Sequence, residues 1–364
     1  MREVGLTLLR ILSKAAAVVL LTSLVTSPLT QAMINYSTRP TSGDGTATIP
    51  TCDEYPSADA SNSMLKHENC IQLHLLIIGN LGDLDISQKR AVQQGIYSPI
   101  SEPLSAITPT CSSGKCRWDS FQSLGICVDM NDVTDYLHVS SAIDATGFKL
   151  NLPAESQVRN ASLSNGAYLL GGPKTYNLNI SFPYTSGYVN SSDPRDKTLS
   201  FIEQPDLLKA ALADFFVIYT NDTSAPVAAP FRAVEVLMHF CVNTYAAAVR
   251  EGVSQTTRLA SGTNVTESTN SADLLSLSGD GRNFTINTTY ALLLGDYLRQ
   301  TLSGTYSLRL GDQAVGRTGA SDAVGAALYV GDLLKSLTES NNDALRHQAI
   351  RNITENVAIS LSNT

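Results

Sequence analysis

The feature that most limits how this chain can fold is "AAAVVLLTSLVTSPLTQAMI", from Ala15 to Ile34, in which no residue carries a charge. At ~1.5 Å of helical rise per residue, such a run reaches about 30 Å, the thickness of a bilayer core. Arg2, Arg10 and Lys14 precede it and place the N-terminus on the cytoplasmic side. A second reading makes residues 15–25 the apolar core of a signal peptide, with "TQA" before Met33 as the small-residue cleavage site. Anchor or signal, the run delivers everything after residue 35 out of the cytosol.

An oxidising compartment decides what cysteines are for. Six are present: Cys52, Cys70, Cys111, Cys116, Cys127 and Cys241. Three of them surround the single tryptophan in "CSSGKCRWDSFQSLGIC" (111–127). Zinc and redox sites favour C-x2-C pairs, which this stretch lacks, whereas disulfides need only the compartment and an even count. The expectation is structural bridging, with Cys52 to Cys70 as a local pair and Cys241 reaching back to the 111–127 cluster. Trp118 and Phe121 are expected to pack over such a bridge. Trp118 as a ligand platform is the weaker functional reading.

Asn-x-Ser/Thr sequons agree with this topology. They occur at Asn35, Asn160, Asn179, Asn190, Asn221, Asn264, Asn283, Asn287 and Asn352, all after the apolar run. Charged residues make up only 16% of the chain, while 43% is hydrophobic. The surface is therefore polar without being charged, and the core is sizeable. A net charge of -8, with no basic run beyond Lys14, argues against nucleic acid as a partner.

Periodicity orders the rest into an α+β class. Residues 1–34 form the membrane or signal helix, 35–70 a stalk, 71–253 a strand-rich cysteine-containing ectodomain, 254–282 a polar linker and 283–364 a helical C-terminal segment. "IQLHLLIIG" (71–79) is a short buried element that its pattern cannot assign. "YNLNISF" (176–182) alternates as a half-buried strand, with Asn179 on the polar face where a glycan is tolerated. "AVEVLMHFCV" (233–242) alternates likewise, Glu235, His239 and Cys241 sharing one face. "PDLLKAALADFFVIY" predicts a helix, since Leu208, Ala211, Leu212, Phe215 and Tyr219 recur at helical spacing after Pro205 and Asp206. Further helices are predicted around residues 290–301 and 324–337, and along Leu345, Ala349, Ile353, Val357 and Leu361.

Catalytic signatures fail along the whole length. G-x-S-x-G, H-E-x-x-H, the P-loop and a complete EF-hand in "DMNDVTD" are all missing. His67-Glu68 has no second histidine at the required spacing. "GRTGASDAVG" (316–325) lacks the lysine of a phosphate loop and reads as a helix entry. The pairs Asp83/Asp85 and Asp132/Asp135 read as caps or solvated surface. No catalytic residue, cofactor or metal is expected.

"TPTCSSGKCRWDSFQSLGICVDMNDVT" resembles the C-x-T-G-N-C-x-W-x-x-F-x-S-L-x-x-C-x-x-C-x-D-V signature of a large fungal membrane-protein family, domain of unknown function 3176. "LLRILSKAAAVVLLTSLVTSPLTQAMINY" is similar to that family's transmembrane helix, "ISQKRAVQQGIYSP" to the segment before its cysteine motif, and "FRAVEVLMHFCVNTYAAAVREG" to its E-C-x-L-x-x-C-V-x-T-Y segment. The resemblance implies an extracytoplasmic cysteine domain in a multi-pass protein, here truncated at both ends, with residues 52–80 as an insertion and no established activity. Met130 and Val236 stand where the family pattern places two further cysteines. Their joint replacement implies that those cysteines are partners in relatives.

The expected function is thus a membrane-anchored, N-glycosylated ectodomain with a structural or interaction role. Its partners are the membrane, through the N-terminal helix, and a protein or cell-wall component. The alternatives are a secretory-pathway hydrolase with a non-local site, to be recognised by His239, Glu235 and another acid converging in a cleft, or a secreted truncated paralogue.

Overall fold

The computed structural model describes residues 47–48, 54–55, 84–99, 104, 107–141, 159–171, 175–186, 197–220, 231–266, 274–309, 315–318 and 343–363. The run 15–34, the element at 71–79, the expected helix at 324–337, His67-Glu68, Asp83, Cys52, Cys70, Asn35, Asn190 and Asn221 lie outside them. In chain order the elements are β1 (Ala47–Thr48), β2 (Glu54–Tyr55), α1 (Ile86–Tyr97), β3 (Thr110–Cys111), β4 (Cys116–Asp132), β5 (His138–Ser141), β6 (Arg159–Ser162), β7 (Tyr168–Gly171) and β8 (Thr175–Thr185). They continue with α2 (Pro205–Lys209), β9 (Ala211–Thr220), β10 (Phe231–Arg250), β11 (Val253–Gly262), β12 (Val265–Thr266), β13 (Leu274–Ser278), β14 (Asn283–Asn287), α3 (Thr288–Leu302), β15 (Gly304–Arg309), β16 (Val315–Thr318) and α4 (Asp343–Ser362). The class is α+β, as expected.

One strand organises the molecule. β10 is 20 residues long and pairs antiparallel with β4 along nearly all of its length. Its other edge changes partner part-way: β9 pairs with positions 231–239 and β11 with positions 242–250. Beyond β9 the sheet continues through β8, β15 and β16.

Alternation along β10 sends Val234, Val236, Met238, Phe240 and Val242 into the main core, where they meet α1, α3, α4 and the β13–β14 hairpin. Gly95 sets the distance between α1 and α4. A Cβ there would stand 2.4 Å from the Val357 Cα, closer than real side chains come. The opposite face of β10 is covered too. The β5–β6–β7 sheet packs on Phe216, Ile218, Phe231 and Ala233, and the segment carrying Phe201 and Leu208 packs on Ala211 and Leu237.

That second cover corrects several expectations. β9, predicted as helix, is a strand preceded by the short α2. Buried on both faces, it has no polar alternation to betray its period. β8 is the expected strand, but its polar side lies under β7. Asn179 is only 7% exposed and donates its amide to the Tyr168 carbonyl and to Ser181. It accepts from Thr305 at 2.9 Å, so a glycan on this nitrogen has no room in the folded chain. Asn287 is buried as well, capping α3 through a bond from the Tyr290 N–H at 3.2 Å.

The expected linker 254–282 holds β11, β12 and β13, polar because β11 is an exposed edge strand. Nor is the C-terminal segment purely helical, for β14 and β15 join two sheets. The predicted helices α3 and α4 do form, although Leu345 is exposed while Ala349, Ile353, Val357 and Leu361 are buried.

The four described cysteines form two bridges, Cys111–Cys116 and Cys127–Cys241. The second is the expected reach of Cys241 back to the cluster. Phe121 stacks on Tyr245 at 5.7 Å, and Trp118 sits half-buried opposite Ala247. Met130 and Val236 are direct cross-strand partners on β4 and β10.

Candidate functional site, a cleft at the strand junction

Where β9 ends and β11 has not yet begun to pair, the far face of β10 carries His239 and Cys241. Opposite them on β4 lie Cys127 and, one diagonal step further, Asp129. The disulfide Cys127–Cys241 ties the two strands at this point. Over it opens a half-open hollow of about 280 Å³, with Leu207 from the α2 segment, Thr263 at the end of β11 and Glu355 on α4 in its walls. α4 is held along the free edge of β4, where the Ile126 N–H donates to Ser362 Oγ at 2.9 Å.

His239 is 3% exposed and has partners on both nitrogens. Nε2 lies 2.8 Å from Asp129 Oδ2. Nδ1 lies 3.1 Å from Thr263 Oγ1 and 3.2 Å from the Phe240 carbonyl, to which Thr263 also donates at 3.3 Å. The bond from His239 holds the Asp129 carboxyl below its ordinary range; the charges of His239 and Arg351 add to this and outweigh its partial burial. Asp129 is therefore an anion in the wall of the hollow, held by His239. Arg258 lines the hollow as well and makes no ion pair among the described residues, whereas Glu355 is paired with Arg351 on α4 at 3.8 Å.

Glu235 shares a face with His239 but not the hollow, because it stands four positions, about 13 Å, away along the strand. It is fully buried and accepts three bonds, from Thr198 Oγ1 at 2.6 Å, Leu199 N–H at 2.9 Å and Ser200 N–H at 2.7 Å. These pin the 197–210 segment to the sheet. Asp214 on β9 is equally buried, and no donor serves either of its oxygens. Burial first, and then the negative charge of Glu235, push its carboxyl well above the ordinary value of 3.8. The Asp214 carboxyl therefore keeps its proton to higher pH than an exposed aspartate does.

Other sequence candidates are structural. Asp85 caps α1, accepting from Ile86 N–H and Ser87 Oγ at 2.6 Å each, and Asp132 accepts from Thr134 N–H at 2.8 Å. Of the described sequons, Asn264 and Asn283 are exposed, and Asn160 and Asn352 are half-buried. Asp129, Thr263, Arg258 and Glu355 carry no local motif and were missed. Among the described residues no cluster of three or more His, Cys, Asp or Glu could hold a metal. Comparison with protein-family models, curated proteins and solved structures returns no match.

Proposed function

We propose that this chain is a membrane-anchored, N-glycosylated extracytoplasmic domain that works by recognition through the cleft at the β9–β11 junction. The two disulfides support an oxidising compartment, and the uncharged run from Ala15 to Ile34 supports the anchor. Among the described residues no helix is long and apolar enough to cross a membrane. The direct pairing of Met130 with Val236 fits the implied cysteine partnership and so favours the fungal family resemblance.

The observation that carries recognition over catalysis is the state of His239. It is nearly sealed from solvent, and both ring nitrogens are spent on protein groups, so it serves as a fixture of the cleft wall. Carbonate extraction and glycosidase treatment of the expressed chain test the location: the product is expected in the membrane pellet and shifts in mass on deglycosylation. A carbonate-soluble, unglycosylated chain contradicts it. Hydrolysis of p-nitrophenyl acetate that disappears in both His239→Ala and Thr263→Val would replace recognition with acyl transfer.

A further inference from the structure

The β5–β6–β7 sheet has one covered face and one open face. Ala161 and Leu169, direct partners in the β6–β7 register, are fully buried in the cluster that holds Phe216 and Ile218. Side chains alternate along a strand, so the flanking pairs Asn160–Leu170 and Ser162–Tyr168 face outward. Tyr168 is 53% exposed and Leu170 49%. A single exposed apolar side chain is ordinary. Among the described residues, however, these are the only two large ones set two positions apart on one strand, side by side on one face. The patch is held firmly, since the Tyr168 carbonyl takes the Asn179 amide of β8 beneath it.

Asn160 and Ser162 are the first and last residues of the sequon Asn160-Ala161-Ser162. The period of two therefore puts the acceptor asparagine and its hydroxyl on the same open face as Tyr168 and Leu170. Asn160 is half-buried, and its amide oxygen is turned inward without a donor among the described residues, which leaves the nitrogen as the outward atom. Across from it on β5 stands Ser140, which is small and exposed. Directly opposed Cβ atoms lie about 4.5–5.5 Å apart and diagonal ones about 7–8 Å. Leu170 is thus next to Asn160, and Tyr168 is one diagonal step away.

We infer that the innermost N-acetylglucosamine of a glycan on Asn160 lies on Leu170 and Tyr168 and completes the outer face of this sheet. A pyranose presents a face of C–H bonds that packs on apolar surface and meets the electron-rich face of a tyrosine ring, while its hydroxyls stay in water. The sugar acts here as a covalently attached part of the fold.

This assignment rests on the glycosylated, extracytoplasmic reading, and the experiment keeps the two apart. The detergent-solubilised full chain, from a eukaryotic secretory host that adds high-mannose glycans, is trimmed natively with endoglycosidase H to one N-acetylglucosamine per site. Glycopeptide mass spectrometry reports each site, and urea unfolding is followed by circular dichroism. Ser162→Ala removes the sequon and leaves Asn160 in place; it is expected to raise the unfolding equilibrium constant about fivefold, the size of a ring-packing contact. Tyr168→Ser is expected to raise it about fivefold more in the trimmed chain than in the Ser162→Ala background. An equal effect of Tyr168→Ser in both backgrounds, or Asn160 bare while Asn264 or Asn283 carries sugar, overturns the inference and leaves the glycosylated reading standing. A chain bare at every sequon overturns that reading itself.

Discussion

Asp214→Asn should make the folded chain more stable as pH rises, although it removes a carboxylate from the middle of the sheet. Asp214 is 0% exposed, lacks a donor to either oxygen and faces the charge of Glu235. Its folded carboxyl therefore holds a proton well above the ordinary value of 3.8. The sign follows from linkage. Below the unfolded value both states are protonated and the group contributes its full stability. Above that value the folded chain binds more protons than the unfolded one, so stability falls as pH rises until the folded carboxyl itself ionises.

Across that window one proton costs about 1.4 kcal/mol per pH unit. Asparagine copies the shape of the protonated acid, supplies a donor toward Glu235 and cannot ionise. The two proteins should thus be nearly equal in urea unfolding at pH 4, followed by circular dichroism. Above that the variant should gain relative to the unsubstituted chain as pH rises, by at most about 1.4 kcal/mol per unit, until the folded Asp214 carboxyl ionises. Parallel stability curves for the two proteins, or a variant weaker at every pH, would refute the raised Asp214 carboxyl.

The β10–β11 hairpin turns through Glu251 and Gly252, both at positive φ, 54° and 80°. Glu251→Asn relieves a left-handed strain of about 1 kcal/mol and should raise the urea midpoint by the corresponding amount; an unchanged or lower midpoint contradicts the turn assignment. Glycopeptide mass spectrometry should find Asn264 and Asn283 modified and Asn179 bare, and a glycan on Asn179 would be incompatible with β7 lying over β8. Met130→Cys with Val236→Cys, placed at directly paired positions, should form one additional disulfide by intact mass. Two free thiols in the folded double variant would show that the β4–β10 register is wrong.

Strand β10 was legible in the sequence because one face of it alternates cleanly, and α4 because its buried residues recur every fourth position. β9 was not legible. A strand covered on both faces loses its polar signal, and "LLKAALADFFVIY" satisfies a helical template equally well. The strands within 254–282 were hidden for the opposite reason: an exposed edge strand such as β11 is polar throughout and reads as linker. His239 and the cysteines of the cleft were visible as residue types on one strand face. Asp129, Thr263 and Glu355 were not, since register, the end of an edge strand and the packing of a distant helix bring them together. The alternation was right for Asn179 but blind to the sheet that covers it.

The cleft is built around a covalent tie between β4 and β10, which the proposed oxidising compartment would maintain. Non-reducing peptide mapping of the purified full chain tests this most directly. The expected result is a Cys127–Cys241 linked peptide together with an internally bridged Cys111–Cys116 segment. Free thiols at Cys127 and Cys241 in the folded protein would contradict both the compartment and the site.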